Sequence, residues 1–193
     1  MVIKYRRGFK TEAEDYAKDF RKELGIAPHK PLCPWKLANL LAILVEPLSS
    51  YRDRIPDAVM HCMELEQDIF SAITICGNSG RLIIHNDSHH PNRQAANIAH
   101  ELSHTILGHR PTPIFDEYGH RHFNAEDENE ANWLGPVLLV PKDATFHIVK
   151  TGMSMEKASD FYGVSKQLIT MRLNASAAQT IMDRSKRKAS LYS

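Results

Sequence analysis

The residues best suited to chemistry in this chain are His100, Glu101 and His104, spaced H-E-x-x-H within the run Gln94 to Gly108, which reads as one helix. At 100° per residue the two histidines lie about 40° apart on one helical face, with Glu101 beside them. Two imidazoles so placed reach one zinc ion, and the carboxylate between them meets a water bound to it. The chemistry this predicts is metal-assisted hydrolysis. A hydrolytic zinc site takes three protein ligands and leaves a fourth position for water, so the chain must supply one more donor.

Spacing narrows the search for that donor. A metzincin places a glycine and a third histidine at fixed distances beyond the second, whereas here Gly108 and His109 stand four and five residues past His104. His109 also falls about 140° around the helix from His104 and beyond a glycine stop, which argues against it as a ligand. The acidic cluster Glu126-Asp127-Glu128-Asn129-Glu130-Ala131-Asn132 is the better source. Glu128 and Asn132 share a helix face at four-residue spacing, so Glu128 can ligate the metal while the Asn132 amide supports a ligating imidazole. Glu130 points about 200° away and is the reserve choice, with Glu126 behind it. An acidic helix start favoured by the macrodipole accounts for the charge, but not for its following an H-E-x-x-H helix at a useful distance.

The elements that must position these groups are legible from periodicity. Thr11 to Leu24 reads as an amphipathic helix with Ala13, Tyr16, Ala17, Phe20 and Leu24 as its stripe, and Trp35 to Leu44 as a second helix, apolar nearly all round. Val45 to Tyr51 starts a strand. Phe70 to Ile75 and Arg81 to His85, separated by Gly77-Asn78-Ser79-Gly80, form a hairpin, and Met60 to Met63 is expected as a preceding strand. Ala95, Ile98, Ala99, Leu102 and Ile106 are the buried stripe of the His100 helix, and Glu126 to Leu139 is its partner, with Pro136 as an interior kink. Asp143 to Lys150 reads as a connection. Beyond it, a helix from Met155, a break at Gly163 and a second helix capped by Ser165 form a helix-turn-helix-like pair, followed by a basic run, Asp183 to Lys188, expected as a flexible tail. The fold class is therefore α+β: a small, mostly antiparallel sheet packed on the H-E-x-x-H helix in residues 1–150, with a helical extension in residues 151–193.

His100-Glu101-Leu102-Ser103-His104, then Glu128-Asn129-Glu130-Ala131-Asn132-Trp133, then Leu138-Leu139-Val140-Pro141 resemble the ImmA/IrrE-type metallopeptidases, whose pattern runs H-E-[LI]-[GS]-H, E-x-[EQ]-A-N-x-F-A and L-L-M-P. The similarity extends to Arg81-Leu82-Ile83-Ile84-His85-Asn86, and to Gly163-Val164-Ser165 with Arg172-Leu173. Trp133 and Leu134-Gly135 replace the usual aromatic and small residues, Val140 replaces Met, and Pro136 interrupts the helix. The resemblance implies a compact, gluzincin-like zinc peptidase that cleaves a helix-turn-helix transcriptional repressor and so relieves repression. On that reading His100, His104 and Glu128 hold Zn²⁺, Glu101 is the general base and Asn132 stands behind the ligands. His85, His89, His90, Tyr118, His120, His122 and Tyr162 are candidates by type for stabilising the oxyanion, and nothing in the sequence selects among them.

Composition agrees with an intracellular enzyme. With 24 Lys and Arg against 23 Asp and Glu, the formal net charge of +1 gives no global reason to expect nucleic acid. Three cysteines, none in a C-x-x-C pair, suggest neither a disulfide framework nor a cysteine zinc site. A cytoplasmic setting is expected, since the opening residues carry no apolar stretch behind their charges and no run approaches the roughly 20 residues of a membrane span. The competing reading is a zinc-stabilised regulatory or DNA-binding protein, in which Lys166, Gln167 and Arg172 on the second helix of the pair contact DNA.

Overall fold

The computed structural model describes residues 5–65, 68–77, 80–109 and 124–190. The first helix, α1 (Phe9–Glu23), buries Phe9, Ala13 and Ala17, and α2 (Pro34–Leu40) starts on a proline whose missing N–H is no loss at a helix N-terminus. Ala42, at φ 54°, turns the chain out of α2. The second helix is thus shorter than its apolar run implied, and Leu44 opens strand β1 (Leu44–Pro47), followed by a 3-10 turn at Leu48–Tyr51. Residues expected as a strand around Met60 are helical instead. Pro56 starts α3 (Pro56–Met60), which runs into one π-helical turn (His61–Leu65), and Val59 and Met63, four apart, bury together against Leu48. That is a helical period carried by too few apolar residues to be distinguished from a strand.

The hairpin forms as expected: β2 (Ala72–Gly77) pairs antiparallel with β3 (Gly80–His85), Ile73 facing Ile84. The sheet is mixed rather than mostly antiparallel. Its order is β1-β3-β2, with β3 in the middle and parallel to β1. A tight turn forces antiparallel pairing on β2 and β3, whereas β1 reaches β3 only after a long helical excursion, which imposes no such direction. Asn86, fully buried just after β3, ties this excursion to the next element. Its Nδ2 donates to the carbonyls of Cys62 (2.9 Å) and Phe70 (3.1 Å), and its Oδ1 accepts from the Ser88 backbone N–H (3.0 Å).

Two helices lie at the centre. α4 (Pro91–Ile106) begins at His90, whose ring accepts from the Asn92 N–H, and α5 (Ala125–Leu139) begins at Asn124, whose side chain accepts from the Glu126 N–H. Ile98 and Leu102 of α4 are completely buried in one core with α1, α2, β3 and α5, and each such side chain contributes about 1.5–3 kcal/mol. Ala99, on the adjacent face, belongs to a second core with Leu139, Val140, Ala144, Ile148, Ala158, Tyr162, Val164 and Ile169. That core is built by α6 (Lys142–Thr151), α7 (Met155–Tyr162) and α8 (Lys166–Ser176). α6 replaces the expected connection, because Ala144 and Ile148 recur at helical spacing between Pro141 and the left-handed Gly152. The helix pair α7 and α8 is as read, with Gly163 left-handed and Ser165 accepting from the Leu168 N–H. The basic run 183–188 lies within a last helix, α9 (Ala178–Ser190), which docks on α6 and α8.

Two buried arginines lock the end of α5. Arg21 of α1 donates to the carbonyls of Leu138 (2.8 Å) and Leu139 (3.3 Å), and Arg172 of α8 donates to that of Val140 (2.8 Å) while pairing with Glu14. These carbonyls belong to the last turn, where a helix has no N–H groups of its own to offer, and the negative end of the dipole favours cations. Burial lowers the Arg21 pKa to about 10, which leaves it charged at neutral pH. Near the middle of α5, Gly135 lies on the backbone of α4. A Cβ there would stand 3.2 Å from the His100 nitrogen and 3.3 Å from its Cα. Gly135→Val is therefore expected to destabilise the fold by about 1–3 kcal/mol, read as a lower midpoint in urea unfolding; an unchanged midpoint would show that the two helices are free to separate.

Candidate active site

The close approach at Gly135 brings the two helices together where their functional side chains emerge. His100 and His104, one turn apart on α4, turn their Nε2 atoms toward each other at 3.1 Å. Glu128, in the first turn of α5, reaches both: Oε2 lies 3.4 Å from His100 Nε2, and Oε1 lies 3.4 Å from His104 Nε2. Three donors around an ion in tetrahedral coordination at about 2.0–2.1 Å stand about 3.3–3.4 Å from one another. The separations among these atoms are close to that size, so these three residues could hold one metal ion.

The three groups also perturb one another's protonation. Burial works against charge on His100, but hydrogen bonding to Glu128 and the charges of Glu101 and Glu128 outweigh it, and its pKa lies above the ordinary value. The His104 pKa is lowered to about 4, by burial first and then by the neighbouring His100 charge. Two imidazoles at 3.1 Å disfavour a second positive charge, which is why the two rings shift in opposite directions. Glu128 is held below the usual carboxylate range by the hydrogen bond from His100.

Asn132, one turn beyond Glu128, stands beside the His100 ring and adds a small upward push to its pKa. Glu130 points elsewhere, accepting from Arg6 Nε at 3.1 Å, and Glu126 is exposed at the start of α5. Glu101 turns toward the sheet, where Thr74 of β2 donates to its Oε2 at 2.6 Å. Burial raises the Glu101 pKa, partly offset by that hydrogen bond and by His100. Beside these groups opens a cavity of about 450 Å³, lined by His100, Glu101, Glu128 and Asn132 together with Ser71 just before β2 and Ala72 at its start, Ala96 and Asn97 of α4, Pro136 and Leu139 of α5 and Leu168 of α8.

Residues 63–174 match the family model of the IrrE N-terminal-like domain, peptidase M78. The chain belongs to that peptidase family. The motif resemblance is thus borne out over the π-helical turn, the hairpin, α4, α5 and the helices through most of α8. No curated protein matches the chain. As an M78 peptidase it is a metal-dependent enzyme acting on protein, and among its described residues His100, His104 and Glu128 form a group that could bind a metal. No helix among the described residues is long and apolar enough to cross a membrane.

Sequence reasoning did not find Thr74. It sits in a strand whose neighbours are apolar, and nothing local distinguishes a β-branched strand former from a partner for a half-buried carboxylate. His109, set aside as a ligand, returns in another position: its Nδ1 lies 3.0 Å from His104 Nδ1, on the side of the ring away from Glu128. Of the candidates for oxyanion stabilisation, His85 is buried at the end of β3, His90 caps α4 and Tyr162 donates to the His29 carbonyl. Neither these nor His89 line the cavity, and Tyr118, His120 and His122 lie outside the described residues. Glu128→Ala is expected to lose the metal on dialysis and Glu130→Ala to retain it, as read by metal analysis; equal metal content in the two variants would rule out the geometric choice between them.

Proposed function

We propose that this M78 peptidase is a zinc-dependent endopeptidase of the cytoplasm that cuts a helix-turn-helix transcriptional repressor and thereby relieves repression. The observation that carries the hydrolytic part is the convergence of His100 Nε2, His104 Nε2 and both Glu128 oxygens at 3.1–3.4 Å beside an open cavity. Two imidazoles and one carboxylate are a zinc donor set, and three ligands leave a position for water. A zinc ion bound there supplies Lewis acidity, making water a better nucleophile at neutral pH and polarising a peptide carbonyl.

The remaining steps belong to the chain. His100, His104 and Glu128 bind the ion, and Asn132 orients the His100 ring. Glu101 is the general base. Its Oε2 is tied to Thr74, so Oε1 takes the proton from the attacking water. The hydroxyl adds to the carbonyl carbon, the C–N bond breaks, and Glu101 returns the proton to the leaving amine nitrogen. Burial raises the Glu101 pKa toward the operating pH, which suits a group that must both accept and release a proton. Ala96, Pro136, Leu139 and Leu168 give the cavity an apolar wall that can shelter a substrate side chain and exclude water. The choice of a repressor as substrate rests on the likeness of the motifs to the ImmA/IrrE-type peptidases.

The DNA-binding alternative loses ground at α8. Arg172, one of its three candidate contacts, is buried and anchored on the Val140 carbonyl and Glu14, and Lys166 is paired with Glu156 at 2.7 Å. Leu168 meanwhile faces the catalytic cavity. Glu101→Gln is expected to lower the rate of repressor cleavage by about 10²–10⁴-fold with zinc content unchanged. A zinc-loaded variant cutting at the wild-type rate would remove Glu101 from the mechanism, and a salt-dependent shift of duplex DNA by the wild type would favour the alternative.

A further inference from the structure

We propose that His109 is a positioning residue for the metal centre, holding the His104 imidazole in the tautomer and orientation that present Nε2 to the ion, and that Asp127 and Glu130 of α5 in turn orient His109. The inference rests on the reading of His104 as a metal ligand. It starts from the way α4 ends. Gly108, at φ 67°, takes the left-handed conformation, and the His109 N–H donates back to the His104 carbonyl at 3.0 Å. A helix closed in this way reverses its chain over its own last turn. His109 therefore does not continue around the helix at 100° per residue. It folds back under His104, with ring centroids 5.0 Å apart and the rings edge to face.

The proton positions then follow from one another. An imidazole that offers the Nε2 lone pair to a metal carries its proton on Nδ1, and that N–H needs an acceptor. The atom at 3.0 Å is His109 Nδ1, so His109 must present a lone pair there and keep its own proton on Nε2. His109 Nε2 faces Glu130 Oε2 at 3.5 Å and Asp127 Oδ1 at 3.7 Å, so the proton points at negative charge. Glu130 is held from its other side by Arg6. The His109 side chain is only 8% exposed, so water does not readily replace either partner. Ligating histidines commonly hand this N–H directly to a carboxylate or a carbonyl. Here the His109 ring stands between, which keeps the carboxylate charge one residue away from the ligand. It also makes α5 the support of both helices' ligands: Glu128 directly, and His104 through Asp127, Glu130 and His109.

The experiment is zinc competition against a chromophoric chelator, with cobalt substitution as a second readout, on the full chain and two variants. His109→Leu keeps bulk but removes the acceptor, whereas His109→Asn keeps an acceptor atom where Nδ1 stood. The expected result is a loss of zinc affinity of roughly 10–100-fold and an altered cobalt absorption spectrum in His109→Leu, with both restored toward wild type in His109→Asn. Wild-type affinity and spectrum in His109→Leu would overturn the proposal alone. A wild type that binds no zinc would overturn the metal reading beneath it. Should the leucine variant not fold, nitrogen-15 spectra of the zinc-loaded wild type decide: a proton on His109 Nε2 supports the proposal, and one on Nδ1 overturns it.

Discussion

The contact on which the rest of the structure depends is the approach of α5 to α4 at Gly135. Helices separated by ordinary side chains pack with their axes about 8–10 Å apart, whereas a residue with no side chain lets one backbone rest on the other. At Gly135 even a single Cβ would come within 3.2 Å of the His100 main chain. The point of contact is the backbone of His100, one of the three residues that could hold a metal, so the distance between the helices and the size of the candidate site are set together. Glu128 lies about two turns up α5 from that contact, and its short carboxylate bridges two imidazoles because the helices are already close. Pro136 does not end α5, which continues for a further turn to Leu139. Arg21 and Arg172 then bind the carbonyls at its end, so the helix is held at its middle by contact and at its end by hydrogen bonds from α1 and α8.

Around this contact, polar side chains follow one another in a row. From the metal-binding group outward run His104, His109, the carboxylates of Asp127 and Glu130, and Arg6. Each ring or carboxylate has a neighbour of complementary character, as groups removed from bulk water require. Glu101 follows a different rule. It is half-buried with a hydroxyl partner, which leaves its carboxyl easier to protonate than an exposed glutamate. Two carboxylates within the same site are thereby separated in character: Glu128, beside the imidazoles, is pushed toward the anion, and Glu101, beside the sheet, toward the acid.

The C-terminal helices show how a familiar local pattern acquires a use from its surroundings. α7 and α8 have the caps and the glycine turn of a helix-turn-helix pair. Their apolar residues join Ala99 of α4 and Leu139 of α5 in one core, and Leu168 reaches the cavity beside His100 and Glu101. Arg172, which has the type and place of a phosphate contact, is turned inward. The same helices serve as a wall of the site.

What the sequence determined by itself was local. His100, Glu101 and His104 were legible because a helix places residues four apart on one face, and Glu128 with Asn132 for the same reason; caps at Ser165 and stops at Gly163 were legible because one residue and its neighbours decide them. A four-residue helix face could also favour Glu128 over Glu130, and the structure brings Glu128 to the histidines. The tertiary structure alone decided the direction of β1 beside β3, the helical state of the chain near Met60, and the partners Thr74 and His109. It also decided that Arg21 and Arg172 cap a helix to which neither belongs. Each of these depends on which distant segment lies alongside, and periodicity, which records only what a segment buries, carries no information about the neighbour that buries it.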